Sequence, residues 1–171
     1  MLQIITNKVI SYSVSAGPSQ EVNIEIDLEN KSSLEIIEAD VYNISALNSI
    51  ELPKLTRLVI KDCTLKGIVD LTTMPNLKEL ILSGNQLLQV PDFTNLEALE
   101  HLDLKHNDLV YLPDFSKLPA LEYLDVRYNQ LTTIPNFTAS HRLKYLSVGH
   151  NNLHTLPNFS SLYFLEHIHL K

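Results

Sequence analysis

Asp125, Ser147 and His169 stand 22 positions apart in turn, and a carboxylate, a hydroxyl and an imidazole in one row are the raw material of nucleophilic chemistry. A serine nucleophile, however, needs the imidazole between itself and the acid. Here the serine holds the middle place, which argues against a hydrolase. Asp103 and Asp125 form a second candidate, a carboxylate pair of the kind that cleaves glycosides. Lys105 and Arg127 follow them by two residues each, so a lattice of compensated charge fits that quartet better. His167 and His169 share a face and could share a metal, but two imidazoles without a third firm ligand are weak metal chemistry. No cofactor is expected, and the chain reads as a non-enzyme.

These residues fall into rows because the chain repeats one pattern, L-x-x-L-x-L-x-x-N-x-L-x-x-L-P-x-F-x-x-L. It starts at Leu77, Leu99, Leu121 and Leu143, a spacing of 22 residues, and begins again at Leu165. Asn85, Asn107, Asn129 and Asn151 hold the ninth place, and Phe93, Phe115, Phe137 and Phe159 follow the Pro91, Pro113, Pro135 and Pro157 steps. Weaker copies start at Leu55, where Cys63 replaces the Asn, and at Leu34. The reading is therefore six full repeats and a further strand at Leu165–Lys171. A strict period of about 20–29 residues marks a leucine-rich repeat solenoid, in which stacked coils supply the core that no single repeat can bury.

Each fixed letter has a physical role. The L-x-L alternation makes a short strand with leucines inward and variable residues outward, so the strands should form a parallel sheet on the concave face. The Asn carries a donor and an acceptor and can bond turn backbone in adjacent coils. Proline disfavours helix for the residue before it, so the convex side should be extended or 3₁₀ rather than α-helical. The phenylalanines should stack as a buried spine. The expected fold is thus an α/β-type repeat solenoid, a leucine-rich repeat horseshoe.

Residues 1–33 do not follow the repeat. Val22, Ile24, Ile26 and Leu28 alternate with Asn23, Glu25, Asp27 and Glu29, the mark of a strand with one buried face. Val9–Val14 reads as its partner across a Ser-Ala-Gly-Pro turn. The expected organisation is an N-terminal β-hairpin cap over 1–33 and repeats over 34–171, one structural domain. After Lys171 the last repeat breaks off before its Asn, leaving a strand edge expected to be open. That edge supports an alternative role, assembly with a second copy, and an oligomeric state of monomer or weak dimer.

The formal charge is −7, and residues 1–40 carry two lysines against seven carboxylates. An acidic chain without a basic stripe is a poor nucleic-acid binder. No stretch approaches the ~20 apolar residues of a membrane span. The start lacks the basic flank and apolar run of a signal peptide, and one cysteine permits no internal disulfide, so a reducing, cytoplasmic setting is expected.

In register, the outward residues form four columns. The third-place column reads Arg57, Glu79, His101, Tyr123, Tyr145, His167; the fifth reads Val59, Ile81, Asp103, Asp125, Ser147, His169. The seventh reads Lys61, Ser83, Lys105, Arg127, Gly149, Lys171, and the eighth reads Asp62, Gly84, His106, Tyr128, His150. These places hold five of the seven histidines and three of the seven tyrosines, far more than scatter would put there. Outward strand positions need no aromatic for packing, so the gathering reads as a binding face. Tyr and hydrogen-bonding charges are typical binding anchors. The expected contact residues are His101, Asp103, Lys105, His106, Tyr123, Asp125, Arg127, Tyr128, Tyr145, Ser147, His150, His167 and His169. The histidines imply binding that changes with pH near neutrality.

The repeats over 34–171 resemble the 22-residue leucine-rich repeats of bacteria. The stretch Leu112–Pro119 is similar to repeats in proteins that intracellular bacterial pathogens inject into host cells. The resemblance implies a non-catalytic scaffold that grips one protein, either a host protein or another bacterial effector, in its concavity and blocks or redirects it. It also implies delivery to the host cytosol by a dedicated secretion system. Cys63, at a structural position, matches no catalytic cysteine of the ligase domains that some such proteins append.

Overall fold

The computed structural model describes residues 3–4, 33–37, 51–66, 70–138 and 140–171. Eight strands form one sheet in chain order. Strand β1 (Gln3–Ile4) pairs antiparallel with β2 (Ser33–Ile37). From there every neighbour is parallel: β3 (Arg57–Lys61), β4 (Glu79–Ile81), β5 (His101–Asp103), β6 (Tyr123–Asp125), β7 (Tyr145–Ser147) and β8 (His167–His169). The strands at Val9–Val14 and Val22–Leu28 expected of a hairpin cap lie outside the described residues. The backbone that is described there sets β1 alongside the first repeat strand.

The register matches the 22-residue frame: Glu79 pairs with His101, His101 with Tyr123, and Tyr123 with Tyr145. A slip by one residue would turn the inward leucines to the other face. Leu58, Leu80, Leu102, Leu124 and Leu146 are fully buried, so the core holds the register. Each buried leucine is worth about 2 kcal/mol, and all five belong to one continuous core cluster.

Beyond the strands the parallel ladder continues by single bonds, with Gly84 N–H donating to Lys105 O at 3.0 Å and His106 N–H to Arg127 O at 2.9 Å. There the chain turns sharply. Asp62, Gly84, His106, Tyr128 and His150 all adopt positive φ, between 52° and 68°. The asparagines lie just behind. Asn107 Nδ2 donates to Leu82 O and Leu104 O, both at 3.0 Å, while Leu87 N–H donates to its Oδ1 at 3.1 Å. Asn85, Asn129 and Asn151 repeat this pattern one coil apart. Cys63, in the same column, is buried and its thiol donates to Lys61 O at 3.2 Å.

The convex side holds no helix among the described residues. It runs extended through each proline and then closes by two successive turns: Leu96 N–H donates to Phe93 O and Leu99 N–H to Leu96 O, at 3.1 and 3.0 Å. The same pair follows Phe115, Phe137 and Phe159. These bonds span three residues, the 3₁₀ spacing, in isolated turns rather than a continuous helix. Asp70, Asp92, Asp114 and Asn158 each accept the N–H two residues on, fixing the entry to the turn. Phe93, Phe115 and Phe137 are buried, with Phe115 and Phe137 stacked at 5.7 Å, and Phe159 is packed partly against the core. Ser140 takes the place that leucine holds in the neighbouring coils, and its hydroxyl is buried without a partner.

Candidate functional site: two ring ladders on the sheet face

The sheet sets third-place residues side by side, and their rings stack. His101 and Tyr123 lie 4.0 Å apart at 6°, and Tyr123 and Tyr145 lie 4.4 Å apart at 6°. His167 and His169 meet the far side of Tyr145 at tilted angles, 6.3 and 5.5 Å away. A second stack runs parallel to the first in the eighth column: His106, Tyr128 and His150, each 4.2 Å from the next. The rings are spaced like the strands beneath them, about 4.8 Å, so each ring covers its neighbour's face and presents its edge. Tyr128, His106 and His150 are exposed, while His101, Tyr123 and Tyr145 are half-buried.

Between the stacks lies a strip of paired charge. Arg127 Nη2 donates to Asp125 Oδ2 at 2.7 Å and Nε to Oδ1 at 3.0 Å. Lys105 Nζ donates to Asp103 Oδ2 at 2.9 Å. In both cases the carboxylate also accepts the backbone N–H of its cation's own residue, at 3.1 Å. Toward the N-terminal coils Arg57 Nε donates to Glu79 at 2.7 Å, and Lys61 lies 3.3 Å from Asp62. At the rim before the strands, Arg142 and Lys144 both bond Glu122, and the Lys144 ammonium is the chief reason its carboxyl sits below the usual range.

These surroundings tune the rings. Burial raises the Tyr123 phenol above its ordinary value and the Asp125 carboxylate adds to this, so the hydroxyl stays protonated. Burial likewise lowers the His101 imidazole, against the pull of Glu79 and Asp103. Hydrogen bonding to Asp125 raises Arg127 above its already high value. The face therefore sets the Tyr123 hydroxyl and the His101 ring over a base of satisfied ion pairs.

Most of the residues expected at the binding face come together here: His101, His106, Tyr123, Tyr128, Tyr145 and His150 in the ladders, Lys105 and Arg127 between them, His167 and His169 at the end. Three do not reach the surface. Asp125 and Ser147 are fully buried and Asp103 nearly so, although they alternate outward along their strands. Around Asp125 the long side chain of Arg127 closes over the carboxylate. The Asp103–Asp125 pair is accordingly committed to cations rather than poised for proton transfer. Ser147 Oγ bonds neither Asp125 nor His169. Among the described residues no three metal-ligating side chains converge, and no helix is long and apolar enough to cross a membrane. The left-handed turn carrying the second stack went unread in the sequence. The signal that could have found it is the glycine, Gly84, in the eighth column.

The coils over residues 53–131 match the family model described as leucine rich repeat, in two overlapping stretches, 53–109 and 75–131. The fold is that of an interaction scaffold, generally non-catalytic. Among solved structures the chain is similar to the functional domain of InlJ from Listeria monocytogenes, at 24% identity and a TM-score of 0.64, covering 81% of this chain and 34% of that one. It is also similar to YopM from Yersinia enterocolitica, at 27% identity and a TM-score of 0.54, covering 70% and 29%. A third likeness, to the internalin InlF of Listeria monocytogenes, has 18% identity and a TM-score of 0.55, covering 82% and 48%. The chain thus spans less than half the length of each. No curated protein sequence matches it.

Proposed function

We propose that the chain is a protein-binding module that holds a single partner along the concave sheet face, with the two ring ladders as its grip. The observation that carries this reading is the parallel pair of stacks, His101–Tyr123–Tyr145 and His106–Tyr128–His150. Packing does not require rings on this side of the sheet. Their ordered edges add contact area at low entropic cost, because stacking already fixes their rotamers. The cations between them are occupied by carboxylates, so affinity comes from ring edges and hydroxyls and depends weakly on salt.

The likeness to YopM, which is described in its Yersinia pestis form as a leucine-rich effector protein, supports a bacterial effector that engages a host protein or another effector and blocks or redirects it. A lone buried cysteine, Cys63, is compatible with work in a reducing cytosol. The test is affinity capture with the wild-type chain beside the double variant Tyr123→Ala/Tyr145→Ala, the two shown by circular dichroism to be equally folded. A partner retained by the wild type and lost by the variant is expected. Equal retention by both would remove the concave face from the interaction.

A further inference from the structure

The convex side carries an open cleft of about 380 Å³, lined by the two coils that hold Pro91 and Pro113. Val90, Pro91, Phe93 and Pro113 make its lining apolar, and Tyr111 adds a ring that is 53% exposed. Nothing in the repeat calls for that ring. The matching places in the neighbouring coils hold Gln89, Thr133 and Thr155. The place before it follows the same rule: Leu88 and Val110 are exposed, where the next two coils carry Thr132 and His154. Single exposed apolar residues need no explanation, but a gathering confined to two coils marks a contact surface.

The polar part of the cleft is uneven. Asp92 is occupied, its Oδ1 accepting Lys117 Nζ at 3.1 Å and Thr94 N–H at 2.9 Å. Asp114 accepts the Ser116 N–H at 2.7 Å, and among the described residues no lysine or arginine bonds it. Hydrogen bonding from Ser116 holds the Asp114 carboxyl below the usual range, so it is charged at neutral pH. The cleft therefore joins an apolar lining and a ring to a carboxylate that no cation has claimed.

We propose that this cleft docks an extended, proline-containing segment of a protein partner, with a proline ring against Tyr111 and an arginine or lysine on Asp114. The shape of the cleft disfavours other peptide forms. Pro91 and Pro113 have no N–H, so an incoming strand would meet a broken edge. A helix is ~10–12 Å across and needs a groove several turns long. At about 380 Å³ the cleft lies at the small end of the ~300–1,000 Å³ of ligand sites. A polyproline II segment asks for less. Its preset backbone loses little entropy, its rings pack on an aromatic face, and its free carbonyls can accept from the Tyr111 hydroxyl. The net charge of −7 favours a basic partner at long range. This surface lies off the sheet face and does not depend on the ring ladders.

The test uses the full chain and the peptide Pro-Pro-Leu-Pro-Pro-Arg, with the amide resonances of Tyr111 and Ser116 followed by NMR. Saturable shifts are expected. Tyr111→Thr, which installs the residue of the next two coils, should weaken binding about tenfold. Asp114→Asn installs the residue those coils carry as Asn136 and Asn158, and Asn158 makes the same turn, accepting Ser160 N–H at 2.8 Å. It should weaken binding less and remove its dependence on salt. Absence of saturation, equal binding of a peptide with alanine for every proline, or binding unchanged by Tyr111→Thr would overturn the proposal. A dimer seen by light scattering and dissolved by Tyr111→Thr would assign the patch to a second copy and overturn it as well. The Tyr123→Ala/Tyr145→Ala variant should bind the peptide as the wild type does, so the cleft and the concave face stand or fall separately. Loss of the peptide in that variant would move it to the concave face and sink the cleft.

Discussion

Arg127 lies over Asp125 as a lid, its guanidinium donating to both oxygens of a carboxylate that solvent does not reach. Asp125 ends its strand and Arg127 follows two residues on, and the longer side chain closes over the shorter. The guanidinium is itself one-third exposed, so solvent screens part of the attraction. What Arg127 chiefly does is keep a buried charge partnered.

Removing that lid should cost more than removing a surface cation. Arg127→Ala leaves Asp125 with only a backbone donor in a buried site, and the expected loss is about 1–3 kcal/mol. Lys117→Ala, which removes an exposed ion pair with Asp92, should leave the unfolding midpoint almost unchanged. Urea unfolding of the two variants side by side measures the contrast. Equal midpoints would show the pair to be decorative.

Asn107→Ala should be among the most damaging single changes outside the leucines. It removes both donations to Leu82 O and Leu104 O and the acceptor for Leu87 N–H. All three are buried, so a loss of at least about 2 kcal/mol is expected in chemical denaturation. Asn107→Asp should be worse still, since it faces two carbonyls with a carboxylate. A variant as stable as the wild type would mean that water replaces the ladder.

Ser140→Leu should stabilise. It restores the leucine that the neighbouring coils place at this turn, Leu118 and Leu162, and removes a buried hydroxyl that bonds nothing. The gain expected is about 1–2 kcal/mol, read as a higher melting temperature. A lower one would mean that the coil has closed around the smaller side chain.

His101 gives the fold a pH dependence with a definite sign. Burial holds its imidazole below 6.5, so between its folded value and 6.5 the unfolded chain binds the proton more readily. The contribution is full above 6.5 and is lost as pH falls through that value toward the folded one. His101→Phe keeps a ring in the stack without the proton. Wild type should lose more melting temperature than this variant on acidification across that window, and parallel profiles would dismiss the effect.

The solenoid was legible because its determinants are local and periodic: Leu80, Asn107 and Phe115 each do the same work as their counterparts 22 residues away. The strand register and the third-place column could be read directly from that period. The burial of Asp125 and Ser147 could not, because alternation states only which way a side chain leaves its strand. Whether Asp125 reaches solvent depends on the reach of Arg127 beside it. The second ladder was half legible. Its residues could be listed, but their stacking depends on a backbone turn that only Gly84 hinted at.

The positive φ shared by Asp62, Gly84, His106, Tyr128 and His150 sets limits on how the proposed binding face can change. Glycine is at ease in that conformation, Asn, Asp and His tolerate it, and branched side chains such as Val, Ile and Thr are outliers there. The eighth column can therefore be rewritten only in a short alphabet, whereas the third accepts nearly any residue a strand accepts. A lineage, or a library, seeking new partners would find most of its accessible variety along one edge of the groove and a near-fixed vocabulary along the other.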